Sequence, residues 1–275
     1  AVIRITTKKI QGEGFGFDAT TEGSYDEKKN IGGYGRLNMN YRKNGLELGA
    51  YAFGARQYQP DNKDLQQKTY LDKTWNQKSE IRQEGIIEAM NFRLDASYQL
   101  DANNSIGANF GFLRNPKQTW NGDMSSLILQ DGDLSESSDS HADFFWQKNN
   151  LSSNIYYVGK IGKLSIDFNT DWLWSKEYQN DVTKEQYQEV GMNAQSQTAH
   201  SLTNKDYHLL ASKLVLSYPL SGGNLSLGGE YSNTHRTSKY QVVPTNLVSD
   251  DDSRITESMT SSFLTYSRDF GNLSL

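Results

Sequence analysis

Apolar and polar residues alternate with a period of two along most of the chain. From Ile31 to Arg42 the odd positions are apolar or glycine and the even ones mainly polar, with Tyr34 as the exception. Met90–Leu100 and Leu164–Trp174 repeat the pattern. Such alternation is typical of β-strands whose two faces meet different environments. We therefore predict strands that are wet on one face and dry on the other.

The alternating segments predict ten strands and no long amphipathic helix. They lie near residues 13–22, 31–42, 45–58, 83–99, 105–114, 143–158, 164–176, 206–219, 225–240 and 258–268, and an eleventh begins at Leu273. All four prolines lie at or beyond predicted strand ends: Pro60, Pro116, Pro219 and Pro244. A proline inside a strand would remove a ladder donor, so this placement supports the segmentation.

Connections between the predicted strands alternate between short and long. The short ones are rich in Gly and Asn, as tight hairpins require: Lys43–Gly45, Asp101–Asn104, Gly159–Lys163, Ser221–Asn224 and Arg268–Asn272. The long ones are polar and lack periodicity, and span about Pro60–Ile81, Asn115–Ala142, Lys176–Lys205 and Gln241–Glu257. We expect the long segments to be loops at one end of the fold.

A tyrosine stands just before each short connection. The five are Tyr41, Tyr98, Tyr157, Tyr218 and Tyr266, at intervals of 57, 59, 61 and 48 residues. A tyrosine ring is apolar while its hydroxyl seeks water, so it suits a boundary between hydrocarbon and water. We predict that these tyrosines form a membrane-interface girdle at one rim, with Trp172 and Trp174 at the other.

Composition favours a membrane barrel over a soluble or disordered chain. Hydrophobic residues make up only 35% and the mean hydropathy is -0.75, yet 12% of residues are aromatic, which disordered chains lack. No apolar run approaches the ~18 residues of a membrane helix. The predicted fold class is therefore all-β, an antiparallel up-and-down transmembrane β-barrel with short periplasmic turns, long extracellular loops and a polar interior.

Two other folds remain open at this point. A soluble antiparallel sandwich or propeller also alternates apolar and polar residues. Neither has a reason to make every second connection long, or to place tyrosine at one end of each descending strand. A parallel β-solenoid would show a shorter and more regular repeat.

Charge and reactive residues point away from several functions. The net charge is -5, with no basic patch for nucleic acid, and the chain has no Cys for disulfides or metal ligation. The four histidines lack metal-ligand spacing: His141, His200, His208 and His235. One acidic cluster lacks the EF-hand spacing for Ca²⁺ and is better explained as a solvated loop: Asp131, Asp133, Glu136, Asp139 and Asp143. We predict no enzyme, no cofactor and no metal site.

Two groups of residues are candidates for substrate contact. Several polar strand residues should face the lumen, to contact passing substrate or simply to hydrate the interior and dock a plug: Arg36, Arg93, Asp95, Asp167, Asp171 and Glu230. Trp75, Trp120 and Trp146 lie in or near the long connections. Their rings could stack on a sugar or peptide ligand, or pack the loops together.

The start of the chain resembles TonB-dependent outer-membrane receptors. Residues Ala1–Lys9 read AVIRITTKK, which is similar to the segment that closes the plug domain of that family, commonly GAVINIITKK, with Arg4 in place of Asn and Thr6 in place of Ile. Gly12–Thr21 resembles the family's first barrel strand. Asn38–Gly45 resembles its second strand and turn, especially in the Bacteroidetes-type branch. The close resemblance covers about 45 residues.

The resemblance implies a barrel of about 22 strands filled by an N-terminal plug. Residues 1–11 would then end the plug, and residues 12–275 would form the N-terminal half of the barrel. No signal peptide is visible at Ala1, so we expect the chain to begin after processing or inside a longer protein. The first and last strands would be open edges, which are not stable in lipid, and we expect further sequence to cover them.

The leading hypothesis is an outer-membrane receptor that imports a nutrient such as an iron chelate, a glycan or a peptide. The expected partners are outer-membrane lipid, a TonB-type energy-coupling complex reached through the missing N-terminal part, and a surface lipoprotein above the barrel. A second hypothesis is a channel, assembly factor or surface scaffold without coupled transport. A third is a soluble secreted β-domain that binds glycan through its loop tryptophans.

Overall fold

The computed structural model describes residues 12–270 except residue 246, together with residues 273–274. Its strands are β1 (Gly14–Tyr25), β2 (Ile31–Lys43), β3 (Leu46–Tyr70), β4 (Thr74–Gln99), β5 (Ser105–Gln130), β6 (Asp133–Ile161), β7 (Leu164–Glu189), β8 (Gln195–Leu220), β9 (Gly223–Val243), β10 (Asp251–Ser267), β11 (Asp269–Phe270) and β12 (Leu273–Ser274). The expected plug segment, residues 1–11, lies outside the described residues.

Strands β1 to β10 form one antiparallel sheet in which each strand pairs with its neighbours in the sequence. The prediction of an all-β, up-and-down antiparallel fold with ten strands is therefore confirmed. The expected eleventh strand at Leu273 falls in β12, which pairs with β11 in a separate two-stranded sheet. No helix long and apolar enough to cross a membrane occurs in the described residues.

Cross-strand register gathers the apolar residues on one face of the sheet. One register row runs through Phe17, Met39, Ala50, Leu94 and Phe110 on β1 to β5. Another runs through Tyr157, Phe168 and Leu214 on β6 to β8. We call this side the apolar face, and the opposite side, which carries Asp95 and Asp171, the polar face. The alternation seen in single strands therefore continues across the sheet.

The apolar side chains do not form a buried core. Among the described residues Val242 is the one buried hydrophobic side chain, whereas Phe17 is 71% and Leu264 68% exposed. The accessible surface is 19198 Å², compared with about 12,000 Å² expected for a soluble protein of 31.1 kDa. The three buried non-glycine residues, Ser79, Ser126 and Val242, all lie on the polar face, which is therefore the more crowded side.

The apolar face has a limited height. On β4 it runs from Met90 to Tyr98, and on β8 from Leu210 to Tyr218. These segments match the ~9–11 residues with which a tilted strand crosses a membrane. Past Met90, away from the tyrosines, the same side of the sheet carries charged residues, beginning with the pair Arg56 and Glu88. We call the apolar stretch between the tyrosines and this charged zone the apolar band.

The expectation of long loops was wrong for most of the residues concerned. Strands β3 to β8 are 25 to 29 residues long and continue through the segments expected as loops. The β5–β6 ladder reaches Gln130 and Asp133 and leaves a two-residue turn. The apolar–polar alternation is absent from these segments because water wets both faces of the sheet beyond the band. They still form strands, because the backbone hydrogen bonds of the ladder do not require apolar side chains. In the connection between β9 and β10, the described residues 244–245 and 247–250 are irregular.

Tight turns depend on residues that tolerate positive φ. Asn44 and Gly45 have φ of 50° and 80°, and Asp131 and Gly132 have 53° and 103°. Positive φ at both central residues is the requirement of a type I′ hairpin. The first turn lies where the sequence predicted a short connection, and the second lies inside a predicted long loop.

A β-bulge on β5 changes which residues face which side. Ile87 pairs with Gln118 and Met90 with Arg114, so two residues of β4 face three of β5, namely Asn115–Lys117. The middle residue of the three is Pro116, which cannot donate to the ladder. Because of the extra residue, even-numbered positions of β5 lie on the apolar face before the bulge and on the polar face after it.

The extended β5–β6 hairpin predicts a specific pattern of proteolysis. We expect a protease recognition sequence inserted between Asp131 and Gly132 to be cleaved. These two residues form the exposed turn beyond the last ladder pair, so an insertion there leaves the strands intact. The same insertion between Ser125 and Ser126 should either resist cleavage or disrupt folding, since Ser126 is buried and bonded to Ser79 at 2.7 Å. If both insertion variants fold and are cleaved equally in intact cells, the segment around Ser126 is a loop and the extended hairpin is wrong.

Candidate functional site

Three aromatic side chains come together on the polar face beyond the apolar band. Trp120 on β5 pairs with Phe144 on β6, and Trp146 pairs with Gln118. Trp120 reaches this face because the bulge at Asn115–Lys117 has shifted the register. Trp146 lies five residues beyond Leu151, which pairs with Trp174 at the upper limit of the band. At about 3.3 Å per residue, the group lies about 17 Å along the strand from that limit.

Polar side chains from neighbouring strands surround the aromatic rings. On β7, Gln179 pairs with Trp146 and Asp181 with Phe144, and on β8 Ser201 follows Asp181 in register. Six residues line an open concavity of about 450 Å³, which we call the aromatic platform: Gln83, Gln118, Trp120, Phe144, Trp146 and Gln179. The platform therefore combines flat apolar surfaces with neutral amides, on one face of four adjacent strands.

Gly85 makes room for the Trp120 ring. A Cβ added at Gly85 would lie 2.6 Å from Cδ2 of Trp120 and 2.7 Å from the carbonyl oxygen of Thr119. Real Cβ atoms do not approach so closely, so any larger residue at this position would displace the indole. The glycine on β4 thus sets the orientation of an aromatic ring on β5.

Hydrogen bonds hold the edge of the platform through the carboxylate of Asp181. Gln179 Nε2 donates to Asp181 Oδ2 at 2.8 Å, and Ser201 Oγ donates to the same oxygen at 3.2 Å. Asp181 Oδ1 is buried and has no hydrogen-bond partner within the described part of the chain. Asp206 Oδ1 shares this property, but it lies 2.8 Å from Nε2 of His208. A buried carboxylate oxygen without a donor is costly, and the two bonds to Oδ2 offset part of that cost for Asp181.

The other end of the platform is held by Asp61 on β3. Gln83 Nε2 donates to Asp61 Oδ2 at 2.8 Å, which fixes the amide and turns its oxygen away from that bond. The ammonium of Lys63 and the Gln83 amide together hold the pKa of Asp61 below its ordinary value. Asp61 therefore stays ionised and keeps Gln83 in place over the physiological pH range.

Positive charge lies next to the platform rather than in it. Neither Lys nor Arg is among its six lining residues. Lys148, Glu177 and Lys205 form the next register row on the same face, toward the band. Lys205 Nζ lies 3.2 Å and Lys148 Nζ 4.0 Å from carboxylate oxygens of Glu177. These two cations share the carboxylate of Glu177, and Lys63 at the other end is paired with Asp61, so the platform lining itself presents no cation to an anionic ligand.

The predicted lumen residues lie on the polar face and are mostly bonded to one another or to neighbours. Arg93 Nε lies 2.9 Å from Asp95, Glu230 lies 2.9 Å from Lys213, and Asn154 Nδ2 donates to Asp171 at 2.7 Å. Arg36 lies 3.4 Å from Asp18, and Asp167 lines a concavity with Lys213 and Glu230. Their role in substrate contact remains a prediction.

The structure separates the three candidate tryptophans. Trp120 and Trp146 belong to the platform, whereas Trp75 pairs with Gln130 at the tip of the β4–β5 extension. The predicted site residues did not include Phe144, Gln83, Gln118, Gln179 or Asp181. The run Phe144-Phe145-Trp146 was a usable signal, because two aromatics spaced by one residue share a face of any strand.

The acidic cluster begins at Asp131 in the β5–β6 turn and continues along β6 to Asp143, so it is not gathered in a long loop. Asp139 accepts a hydrogen bond from Ser125 Oγ at 2.5 Å, and His141 Nδ1 lies 2.7 Å from Asp123. Within the described ranges, no group of three or more His, Asp or Glu side chains is arranged to hold a metal ion.

The predicted girdle residues all lie on the apolar face. Tyr41 pairs with Leu48, Tyr157 with Phe168 and Tyr218 with Leu225, close to the short turns. Tyr98 and Tyr266 pair with Leu46 and Leu225 in the same way, and Trp172 and Trp174 lie toward the opposite limit of the band. Tyr157 Oη donates to Asn104 at 2.7 Å, so its hydroxyl points into the turn region.

Comparison with known proteins gives distant structural similarity alone. No family model and no curated protein matches the chain. The siderophore receptor PiuA of Acinetobacter baumannii is 7% identical, with a TM-score of 0.37, 94% of this chain and 47% of that chain covered. The ferric preacinetobactin receptor BauA of the same organism is 10% identical, with a TM-score of 0.34 and coverages of 94% and 45%. The chain thus spans about half the length of either receptor. The fold assignment is based on the antiparallel sheet described above and not on these similarities.

The contact between Gly85 and Trp120 can be tested by adding one methyl group. We expect Gly85→Ala to shift the near-ultraviolet circular dichroism of the indole and to lower stability by about 1–3 kcal/mol, the usual cost of overpacking. Gly54→Ala is the matched control, because a Cβ at Gly54 meets no described atom within 4 Å. If Gly85→Ala left the spectrum unchanged, or changed it equally in a Trp120→Phe background, the described packing would be wrong.

Proposed function

We propose that this chain forms part of the wall of an outer-membrane β-barrel receptor, with the apolar face toward lipid and the polar face toward a water-filled lumen. One observation carries the proposal. An exposed apolar band about as high as a bilayer core crosses β1 to β9 and narrows to Tyr266 and Leu264 on β10, although the described residues bury almost no hydrophobic side chain. In water such a surface would be a large aggregation hazard, whereas in lipid it is the stable arrangement.

The polar face supports a wet interior at the depth of the band. Charged pairs such as Arg93–Asp95 and Lys213–Glu230 lie on the strands that carry the apolar band on their other side. Side chains of this kind are expensive inside hydrocarbon and are found facing water or protein in membrane proteins. A barrel with its apolar residues outside and its ion pairs inside satisfies both requirements.

The open edges support the inference that more strands complete the barrel. Within the described sheet, β1 and β10 each pair on one side. Unpaired edges do not persist in lipid, because each free amide or carbonyl there costs several kcal/mol. We infer that residues 12–275 supply the N-terminal half of the barrel and residues 1–11 the end of a plug, as the resemblance to TonB-dependent receptors implies.

We assign the receptor to nutrient uptake driven by a TonB-type energy-coupling complex. Support comes from the plug-like sequence Ala1–Lys9 and from the aromatic platform, which lies on the lumen side beyond the tryptophan end of the band. That end is the extracellular one in this assignment, because the opposite end has the shorter hairpin turns typical of the periplasmic side. A surface lipoprotein that covers the platform side would be a natural partner.

The membrane position of the apolar band predicts a depth-dependent effect of charge. We expect Leu94→Arg, at the middle of the band on β4, to destabilise the protein folded in lipid vesicles by about 2–4 kcal/mol. Leu202→Arg is the matched control, since Leu202 lies on the same side of the sheet beyond the band, between Asn180 and Gln241. Urea titration in vesicles measures both. Equal effects, or recovery of the protein in the aqueous fraction without detergent, would favour the soluble β-domain.

Coupled transport predicts a genetic result that does not require a known substrate. Cells without this receptor and cells without the TonB-type coupling protein should show the same growth defect when the imported nutrient is limiting. The double mutant should be no worse than either, because both steps belong to one process. A receptor-dependent growth advantage that survives deletion of the coupling protein would instead identify an uncoupled channel.

A further inference from the structure

We propose that the aromatic platform binds a neutral carbohydrate, which deepens the proposed receptor function by naming the class of its ligand. The inference starts from the kinds of group that the platform presents. Trp120, Phe144 and Trp146 supply flat apolar surfaces, and the remaining lining residues are Gln83, Gln118 and Gln179. A sugar ring matches this set, because it has apolar C–H faces for stacking and hydroxyl groups at its edge for amides.

The arrangement of the residues follows the same logic. In one register row, Trp120, Phe144, Asp181 and Ser201 follow one another across β5 to β8, and in the next row Gln118, Trp146, Gln179 and Thr203 do so. Aromatic surface thus lies on β5 and β6, while hydrogen-bonding groups lie on β7 and β8. A ring stacked on the aromatic side has its hydroxyl edge beside the polar side.

Asp181 holds the polar side of the platform in place from beneath it. Its Oδ2 accepts from Gln179 and Ser201, while its Oδ1 is buried. The bond from Gln179 Nε2 fixes one of the amides that line the platform, so little ordering of that amide is needed on binding.

Charge disfavours the other ligand classes named by the receptor resemblance. An anionic ferric chelate or another anion would need Lys or Arg, and the platform lining has neither. The adjacent Lys148 and Lys205 both lie near Glu177, at 4.0 Å and 3.2 Å. A cationic peptide is the remaining competitor, because Asp181 and the aromatic rings could also receive an ammonium group.

The test measures binding by the whole protein in detergent to neutral oligosaccharides. The probes are maltohexaose, cellohexaose, laminarihexaose and mannohexaose at millimolar concentrations, with a hexalysine peptide and ferric citrate as charged comparisons. Indole fluorescence and saturation-transfer NMR report contact with the rings. We expect at least one neutral probe to bind, with its ring C–H protons receiving the saturation, and the ferric chelate not to compete.

Single substitutions then assign the binding to the platform. Trp120→Ala and Trp146→Ala should each weaken binding by about tenfold or more, as the loss of a stacking surface does. Asp181→Asn should weaken it less than either, because Asp181 acts by holding the Gln179 amide in place. Phe145→Ala is the matched control: Phe145 lies between Phe144 and Trp146 in sequence but on the other side of β6, 6.0 Å from the ring of Tyr178.

Each outcome decides between the alternatives. Binding of hexalysine alone, or of no neutral probe by a folded protein, would overturn the carbohydrate assignment, and so would equal losses in Phe145→Ala and Trp146→Ala. Folding of each variant is checked by its heat-modifiable mobility on gels, independently of binding. A protein that fractionates with the outer membrane but binds no sugar loses only this inference, whereas sugar binding by an aqueous protein would overturn the proposed receptor function.

Discussion

Backbone hydrogen bonding between neighbouring strands is the interaction on which this structure depends. A single-layer sheet has no second layer against which to bury its side chains, and the described residues contain almost no hydrophobic core. The ladder pairs the backbone N–H and C=O groups of each interior strand with both neighbouring strands. It continues over strands of up to 29 residues. Because a ladder requires only extended backbone, the sheet can change its side-chain chemistry along its length without losing its continuity.

That freedom divides the sheet into two zones. Within the apolar band, one side is dry and the other wet, so strict alternation is enforced by the cost of charges in hydrocarbon. Beyond the band both sides meet water, and the same strands carry ion pairs such as Arg56–Glu88 and Arg82–Asp64 on the side that was apolar. The height of the band therefore reflects a solvent boundary, and the extended hairpins provide surface for recognition outside it.

Recognition uses the polar side of those extensions. The platform is assembled from β4, β5, β6 and β7, and none of its residues is close to all the others in sequence. Three small structural features position it: the bulge with Pro116, which brings Trp120 to the polar side; Gly85, which admits the indole; and the bond from Gln179 to Asp181. A rigid ladder holds these groups more firmly than a mobile loop would, which favours a preorganised site.

The amino-acid sequence by itself determined the strands of the band, their antiparallel order, the tight turns at Asn44–Gly45 and Ser221–Gly222, and the side on which the five girdle tyrosines lie. A period of two is a local property that one strand displays without its neighbours. Only the tertiary structure decided that the polar segments beyond the band are strands, because where both faces are wet no periodicity distinguishes strand from loop. It also decided that Trp120 and Trp146 meet while Trp75 lies apart. Pairing register and a one-residue bulge control that result, and both depend on contacts between residues distant in sequence.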